Sequence, residues 1–345
     1  MRTDVHSSEV MTCTLRAMAS PVILRVVGPG PHARAALERA VAVIREVERT
    51  CSRFTPTSPL VRANAAPDRW HRVPETLASA IAEAERAHRE TGGLFDPRIL
   101  GTLLSWGYDR TLPFAPPPLF APPPYAPPRY APPPLACDPL GVTAAAADRP
   151  SPELAAPWRP EQVTGVDGTR VHLGGVAIDL GGIGKGLAVR WAAAELADAG
   201  AGFLVDAGGD CAVGGTAPDG GRWRVGVEDP AGGIDPLLVL ELTDSGCATS
   251  SIRLRRWIAS DAPVHHLVDP RTGRPGGAGL TAATVVAPDP AWAEVLSKTL
   301  FLAGAAGIRA RAEELELPAA WVGADGGIET SAALAPLIAW SAHRD

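Results

Sequence analysis

The chain has 345 residues and lacks a cysteine pattern. Its five cysteines (Cys13, Cys51, Cys137, Cys211, Cys247) are scattered, odd in number and never spaced C-x-x-C. That argues against both a disulfide framework and a structural zinc site. Positive charge is not in excess: 32 Lys and Arg stand against 38 Asp and Glu, a formal net charge of −6. Electrostatics therefore offers no case for a nucleic-acid partner. No apolar run approaches the length of a membrane span, so no membrane partner is expected. The opening residues, MRTDVHSSEVMTCTLRAM, are polar and charged where a secretory signal needs an apolar run, and a cytoplasmic location is the expectation. Two nucleotide-binding templates are missing as well. Gly186 follows Lys185 where a P-loop needs Ser or Thr, and Leu187 stands where the dinucleotide fingerprint needs its third glycine.

What is present centres on Val176–Ala188, VAIDLGGIGKGLA. It reads as a short apolar strand ending in an acid, then four glycines and one lysine, then an Ala-rich helix. Glycines at such a junction let the backbone approach a ligand, and a helix N-terminus adds partial positive charge. A polyphosphate or dinucleotide suits this stretch. A tight strand-to-helix turn with no ligand suits it equally.

Around that centre the chain divides by composition into residues 1–111, 112–160 and 161–345. In the first part, residues 14–27 read as one extended segment, with Pro21 tolerated best at an edge or bulge. Helical spacing follows over 32–50 and 75–91, the second ending at Gly92-Gly93. Between these helices Phe54 sits in a turn-rich loop, either as a core anchor or stacked on a planar ligand. Twelve of the 35 prolines fall between Pro113 and Pro134, in near-repeats such as APPPLF and APPPY. Such a tract lacks amide donors and favours extended polyproline II, so it reads as an insert continuing to about residue 160. A partner that reads polyproline is the other use of such a tract. The last part is strand-rich, with strands expected over 171–180, 203–206, 223–227, 237–242, 264–268 and 282–287. Helices are expected over 184–199, 291–303 and 306–315.

Four further signals follow in order: Gly208-Gly209-Asp210, Ala248-Thr249-Ser250, His266-Leu267-Val268-Asp269-Pro270-Arg271-Thr272-Gly273, and Ala293-Glu294-Val295-Leu296-Ser297. With Asp179–Gly186, and with Met18-Ala19-Ser20, Ser52–Asn64 and Thr91–Asp96 upstream, they resemble the motifs of the ApbE family of FAD:protein FMN transferases. The resemblance spans nearly the whole chain outside the proline tract and the two tips. It implies an α+β fold with a mixed, largely antiparallel sheet, flanking helices and one flavin-nucleotide cleft. The implied reaction cleaves FAD and moves FMN onto a Thr or Ser hydroxyl of an acceptor flavoprotein, releasing AMP. Hydrolysis of FAD to FMN and AMP, or FAD binding without chemistry, are the other readings.

By the same resemblance, Met18, Phe54, Leu94, Phe95, Asp96, Asp179, Lys185 and Leu267 would hold the flavin nucleotide, with Thr249 and Ser250 near the phosphates. His266 would take the acceptor proton, a task suited to imidazole near neutral pH. A strand histidine bonded to backbone is the plainer reading, and His265 would face the opposite way. The resemblance also implies Mg²⁺, held at the Gly182 carbonyl and by a helix carrying Asp and Thr one turn apart. Here those positions are Glu294 and Lys298, with Ser297 between them. Glutamate can ligate Mg²⁺; an ammonium cannot. Lys298 is read either as the partner of Glu294 in an ordinary i,i+4 ion pair or as a charge that meets the pyrophosphate in the metal's place.

Overall fold

Residues 14–27 do not form one extended segment. In the computed structural model, which describes residues 9–110 and 156–342, they belong to a hairpin of β1 (Val10–Ala17) and β2 (Ser20–Val27). The chain reverses at Met18 and Ala19, both left-handed at φ 52° and 59°, the backbone that matches strand twist in a two-residue turn. Neither residue is glycine, so the turn leaves no signal in the sequence. Pro21 sits just before β2 begins its ladder with the next strand, where a missing amide costs no hydrogen bond.

The hairpin opens an eight-stranded sheet ordered β1-β2-β6-β7-β10-β15-β16-β17. The later strands are β6 (Gly202–Ala207), β7 (Asp210–Gly215), β10 (Ser245–Ser251), β15 (Leu280–Ala287), β16 (Ala319–Gly323) and β17 (Ile328–Thr330). Every ladder among the described residues is antiparallel. Because β2 pairs with β6, the two halves of the chain share one sheet.

Side chains alternate across that sheet. Val22, Leu24, Val26 and Val205 face α1 (Ala33–Cys51), α3 (Glu75–Glu90) and α5 (Gly184–Leu196). Val27, Cys211, Val213 and Cys247 face a small sheet of β8 (Trp223–Val227), β9 (Leu238–Leu242) and β18 (Ile338–Ser341). The result is helices, large sheet and small sheet in layers. Helix α1 buries Ala33, Ala36, Leu37, Ala40, Ile44 and Val47, the spacing expected of one helical face.

Three expectations are corrected. Residues 176–180 are not a strand: β5 (Gly168–His172) ends well before them, and the chain then runs irregularly to α5. The segment over 264–268 is broken, with β12 (Ala262–His265) ending before β13 (Val268–Asp269). Packed chain resumes before residue 160, because the indole of Trp158 is buried and donates to the Leu173 carbonyl at 2.8 Å. The rest of the expected 112–160 insert lies outside the described residues, apart from 156–160.

Helix α5 crosses α6 (Pro290–Leu302) at backbone contact. A Cβ on Gly186 would lie 2.6 Å from the Ala291 Cα and 2.8 Å from the Pro290 carbonyl oxygen. Only glycine fits, and this contact sets Lys185 beside Glu294. Gly186→Ala should therefore lower unfolding free energy by about 1–3 kcal/mol, the range for overpacking. Urea unfolding checks this, and a change below about 0.5 kcal/mol would show that the helices separate freely.

Candidate active site

One cleft of ≈ 610 Å³ collects most of the expected residues. Its size lies in the range of ligand pockets. Met18, Phe54, Leu94, Phe95, Asp96, Asp179, Gly182, Lys185, His266, Leu267 and Lys298 all line it. They arrive from the β1–β2 turn, the loops after α1 and α3, the irregular segment before α5 and its first turn, the break after β12, and α6. Thr249, Glu294 and Ser297 are not in the lining. Thr249 lies in strand β10, bonded to Thr284 Oγ1 at 2.9 Å, and Ser250 meets Ser297 at 2.8 Å. The hydroxyl run is thus part of a ladder and its packing.

The irregular segment is held by a side chain in place of a neighbouring strand. Asn64 donates to the Ile178 carbonyl at 2.8 Å and accepts from the Ile178 amide at 2.9 Å. The Asp179 amide donates to the Pro97 carbonyl at 2.7 Å. Asp179 then accepts from Arg53 Nε at 2.8 Å and from its own turn at Gly181 at 2.6 Å. Asp96 is more fully committed: its carboxylate takes the Arg98 guanidinium at 2.7–3.2 Å and caps the following turn at Arg98 N. Both acids, expected to hold the flavin nucleotide, line the cleft and brace its wall through arginines. The Met18 amide likewise donates to Glu48 at 2.7 Å, fixing the hairpin turn over α1.

Phe54 stands at the rim, 37% exposed. Its ring lies 5.5 Å from Tyr108, which lies 5.1 Å from Trp257, forming a short aromatic wall. The Arg53 guanidinium covers both Phe54 (4.0 Å) and Tyr108 (4.5 Å), and its buried Nη2 has no hydrogen-bond partner among the described residues. Arg53, Tyr108 and Arg255 line the cleft and were not singled out from sequence. Arg53 stands inside the S-R-F run and Arg255 inside R-L-R-R-W; only their charge could have marked them.

His266 lines the cleft and its buried Nδ1 has no partner among the described residues, whereas His265 points away to stack edge-on against Phe301. Burial pushes the His266 pKa well below 6.5, and the nearby charges of Arg255 and Lys298 push the same way. The ring is neutral at neutral pH and free to accept a proton. His265 is lowered to about 4 by burial.

Four charges close the inner end. Lys185 bonds Asp210 and lies 3.6 Å from Glu294 Oε1, while Lys298 reaches the same oxygen at 3.2 Å. Glu294 Oε2 accepts the Gly186 amide at 2.8 Å. Burial alone would lower the Lys185 pKa, but Asp210 and Glu294 outweigh it and the ammonium is held above its ordinary value. Burial resists the charge on Glu294 too, yet Lys298 and Lys185 keep its pKa below the usual carboxylate value.

The Mg²⁺ implied by the sequence resemblance does not fit this arrangement. Both Glu294 oxygens already accept donors, and Ser297 turns its hydroxyl to Ser250 and to the Glu294 carbonyl. Among the described residues no cluster of three His, Cys, Asp or Glu could hold a metal. A divalent ion ~4 Å from an ammonium would be repelled by roughly 8 kcal/mol at an effective dielectric of about 20, before any carboxylate attraction is counted.

Comparison with known proteins agrees with this architecture. The family model described as "ApbE family" matches residues 11–321. The FAD:protein FMN transferase of Treponema pallidum (strain Nichols) is 26% identical over 305 residues, 80% of this chain and 73% of that protein. The FAD:protein FMN transferase of Salmonella typhimurium (strain LT2) is 30% identical over 113 residues, 32% of each chain. The fold resembles the crystal structure of the ApbE protein from Thermotoga maritima MSB8 (TM-score 0.73, 22% identity, 95% of this chain and 99% of that one). It also resembles Pseudomonas stutzeri flavinyl transferase ApbE in its apo form (TM-score 0.72, 21% identity, 98% and 100%). No helix among the described residues is long and apolar enough to cross a membrane.

The bracing by Asn64 yields a prediction. Ile178 is fully buried, so its amide and carbonyl have no water to turn to in Asn64→Leu. Two unsatisfied backbone groups should cost on the order of 2–4 kcal/mol, read by urea unfolding. A loss under about 0.5 kcal/mol would mean the segment finds other partners.

Proposed function

The chain belongs to the ApbE family, and from that premise we propose that it moves FMN from FAD onto a Thr or Ser hydroxyl of an acceptor protein, releasing AMP. The observation that carries the reading is a neutral His266, its Nδ1 without a partner among the described residues, in a cleft with cationic side chains at its inner end and an aromatic wall at its rim.

In this reading the acceptor hydroxyl attacks the FMN-side phosphorus of the pyrophosphate. His266 Nδ1 takes the hydroxyl proton as the new O–P bond forms. The bond from that phosphorus to the bridging oxygen breaks, and AMP leaves with the electron pair. The product is a phosphoester. Such a transfer asks a protein mainly for position and for charge opposite the phosphate oxygens. Lys185, Lys298 and Arg255 supply cations on the cleft wall, and Leu94, Phe95 and Leu267 exclude water from it. The dependence on Mg²⁺ that the resemblance implies contributes no step here.

Incubation with FAD and an acceptor domain should give covalent FMN on Thr or Ser and equimolar AMP. Free FMN without covalent product would mean hydrolysis, and bound but intact FAD would mean a binding protein. His266→Ala should lower transfer by about 10²–10⁴-fold with FAD affinity nearly unchanged. Unchanged turnover would remove His266 from the mechanism.

The pH profile gives a separate test. A base whose pKa is depressed stays unprotonated until the pH falls below that value. The acidic limb of kcat/KM, which reports the free enzyme, should therefore lie below pH 6.5. The limb of kcat should lie higher, because bound pyrophosphate favours the imidazolium. A kcat/KM limb at or above 6.5 would contradict the burial of this base.

A further inference from the structure

We propose that in this chain the charge of the FAD pyrophosphate is neutralised by the protein's own cations, Lys298 and Arg255 backed by Lys185, in the place where its relatives' motif would put a divalent metal. The inference rests on the flavin-nucleotide reading of the cleft and specifies how its inner end works.

Orientation is the first observation. Lys185, Lys298 and Arg255 line the cleft, whereas Glu294 and Asp210 are almost completely buried and do not. The carboxylates lie behind the cleft wall and pair with the ammonium groups that form it. An anion entering the cleft meets a wall that carries these three cationic side chains. Lys298 is not in a surface i,i+4 pair, since its side chain keeps only 16% of its exposure and its partner 1%.

The second observation is spare capacity. An ammonium carries three donors. Lys298 directs one to Glu294, and Arg255 forms no ion pair among the described residues. Both line the same cleft as His266, the base of the proposed transfer.

The third observation is the room made for Lys298. A Cβ on Gly182 would stand 3.4 Å from both Cδ and Cε of Lys298 and 2.9 Å from the Phe95 ring. The bare backbone at Gly182 is occupied by the lysine stem. A metal taken up by the Glu294 Oε1 atom would have to displace the Lys298 ammonium that already occupies it.

The test is FAD binding followed by flavin fluorescence, on full-length protein stripped with EDTA and then in Mg²⁺. The expected dissociation constants agree within about threefold. Lys298→Met should weaken FAD binding in EDTA at least tenfold, while Lys298→Arg, which keeps the charge, should retain most of it. Lys298→Thr should make FAD affinity rise on adding Mg²⁺. Melting temperatures near the parent's qualify each variant. FAD binding that needs Mg²⁺ in the parent, or is unchanged in Lys298→Met, would overturn the proposal. If FAD binds without metal but no FMN is transferred, the transferase reading fails and the proposal about charge stands.

Discussion

A charge taken out of water has to be paired, and the inner end of the cleft is built around that requirement. Lys185 comes from the first turn of α5, Asp210 from the start of β7, and Glu294 and Lys298 from successive turns of α6. Each element delivers one member or two of a buried cluster, so helix, hairpin and helix cannot shift independently. Removing one member would strand another without solvent, a loss commonly of 3–5 kcal/mol. Gly186 allows the approach that makes the cluster possible, and its amide completes the coordination of Glu294. Packing and electrostatics thus fix the same few ångströms of structure.

The rest of the cleft is held by a different device. Its outer wall is mostly loop, and loops lack a ladder to fix them. Here side chains reach across the chain instead: Asn64 to Ile178, Arg53 to Asp179 and to the Tyr108 carbonyl, Glu48 to Met18. Arg98 ties Asp96 to the Ala156 carbonyl, where described chain resumes beyond the proline tract. A site on rigidly braced loops keeps its donors aimed before substrate arrives, which is the condition for electrostatic stabilisation of a transition state.

Much of this was legible in the sequence, for physical reasons that differ by element. The long helices announced themselves through periodic apolar spacing, as in α1 and α3, and β6 and β15 through short apolar runs, whereas β7, β10, β16 and β17 of the large sheet were not foreseen. The motif order pointed to one cleft, and eleven of the residues it named do line it. What escaped depends on contacts between distant parts of the chain. Residues 176–180 look like a strand because Ile178 and Leu180 are buried alternately, yet their hydrogen bonds go to a side chain and a turn. Met18 and Ala19 form a left-handed turn without glycine. Thr249 and Ser250, which the resemblance sets near the phosphates, lie in β10 on its ladder with β15 and outside the cleft lining. Asp96 and Asp179 showed their charge and concealed their arginine partners.

The central claim is that FAD lies with its pyrophosphate against Lys298 and Arg255, beside His266. A crystal structure of the chain with FAD bound, grown in chelator, tests it directly. The account predicts phosphate oxygens within hydrogen-bond distance of Lys298 Nζ and the Arg255 guanidinium, with Lys298 still on Glu294 and the His266 ring facing the FMN-side phosphorus. Phosphates lodged away from Lys298, or density for FAD outside the cleft, would contradict it.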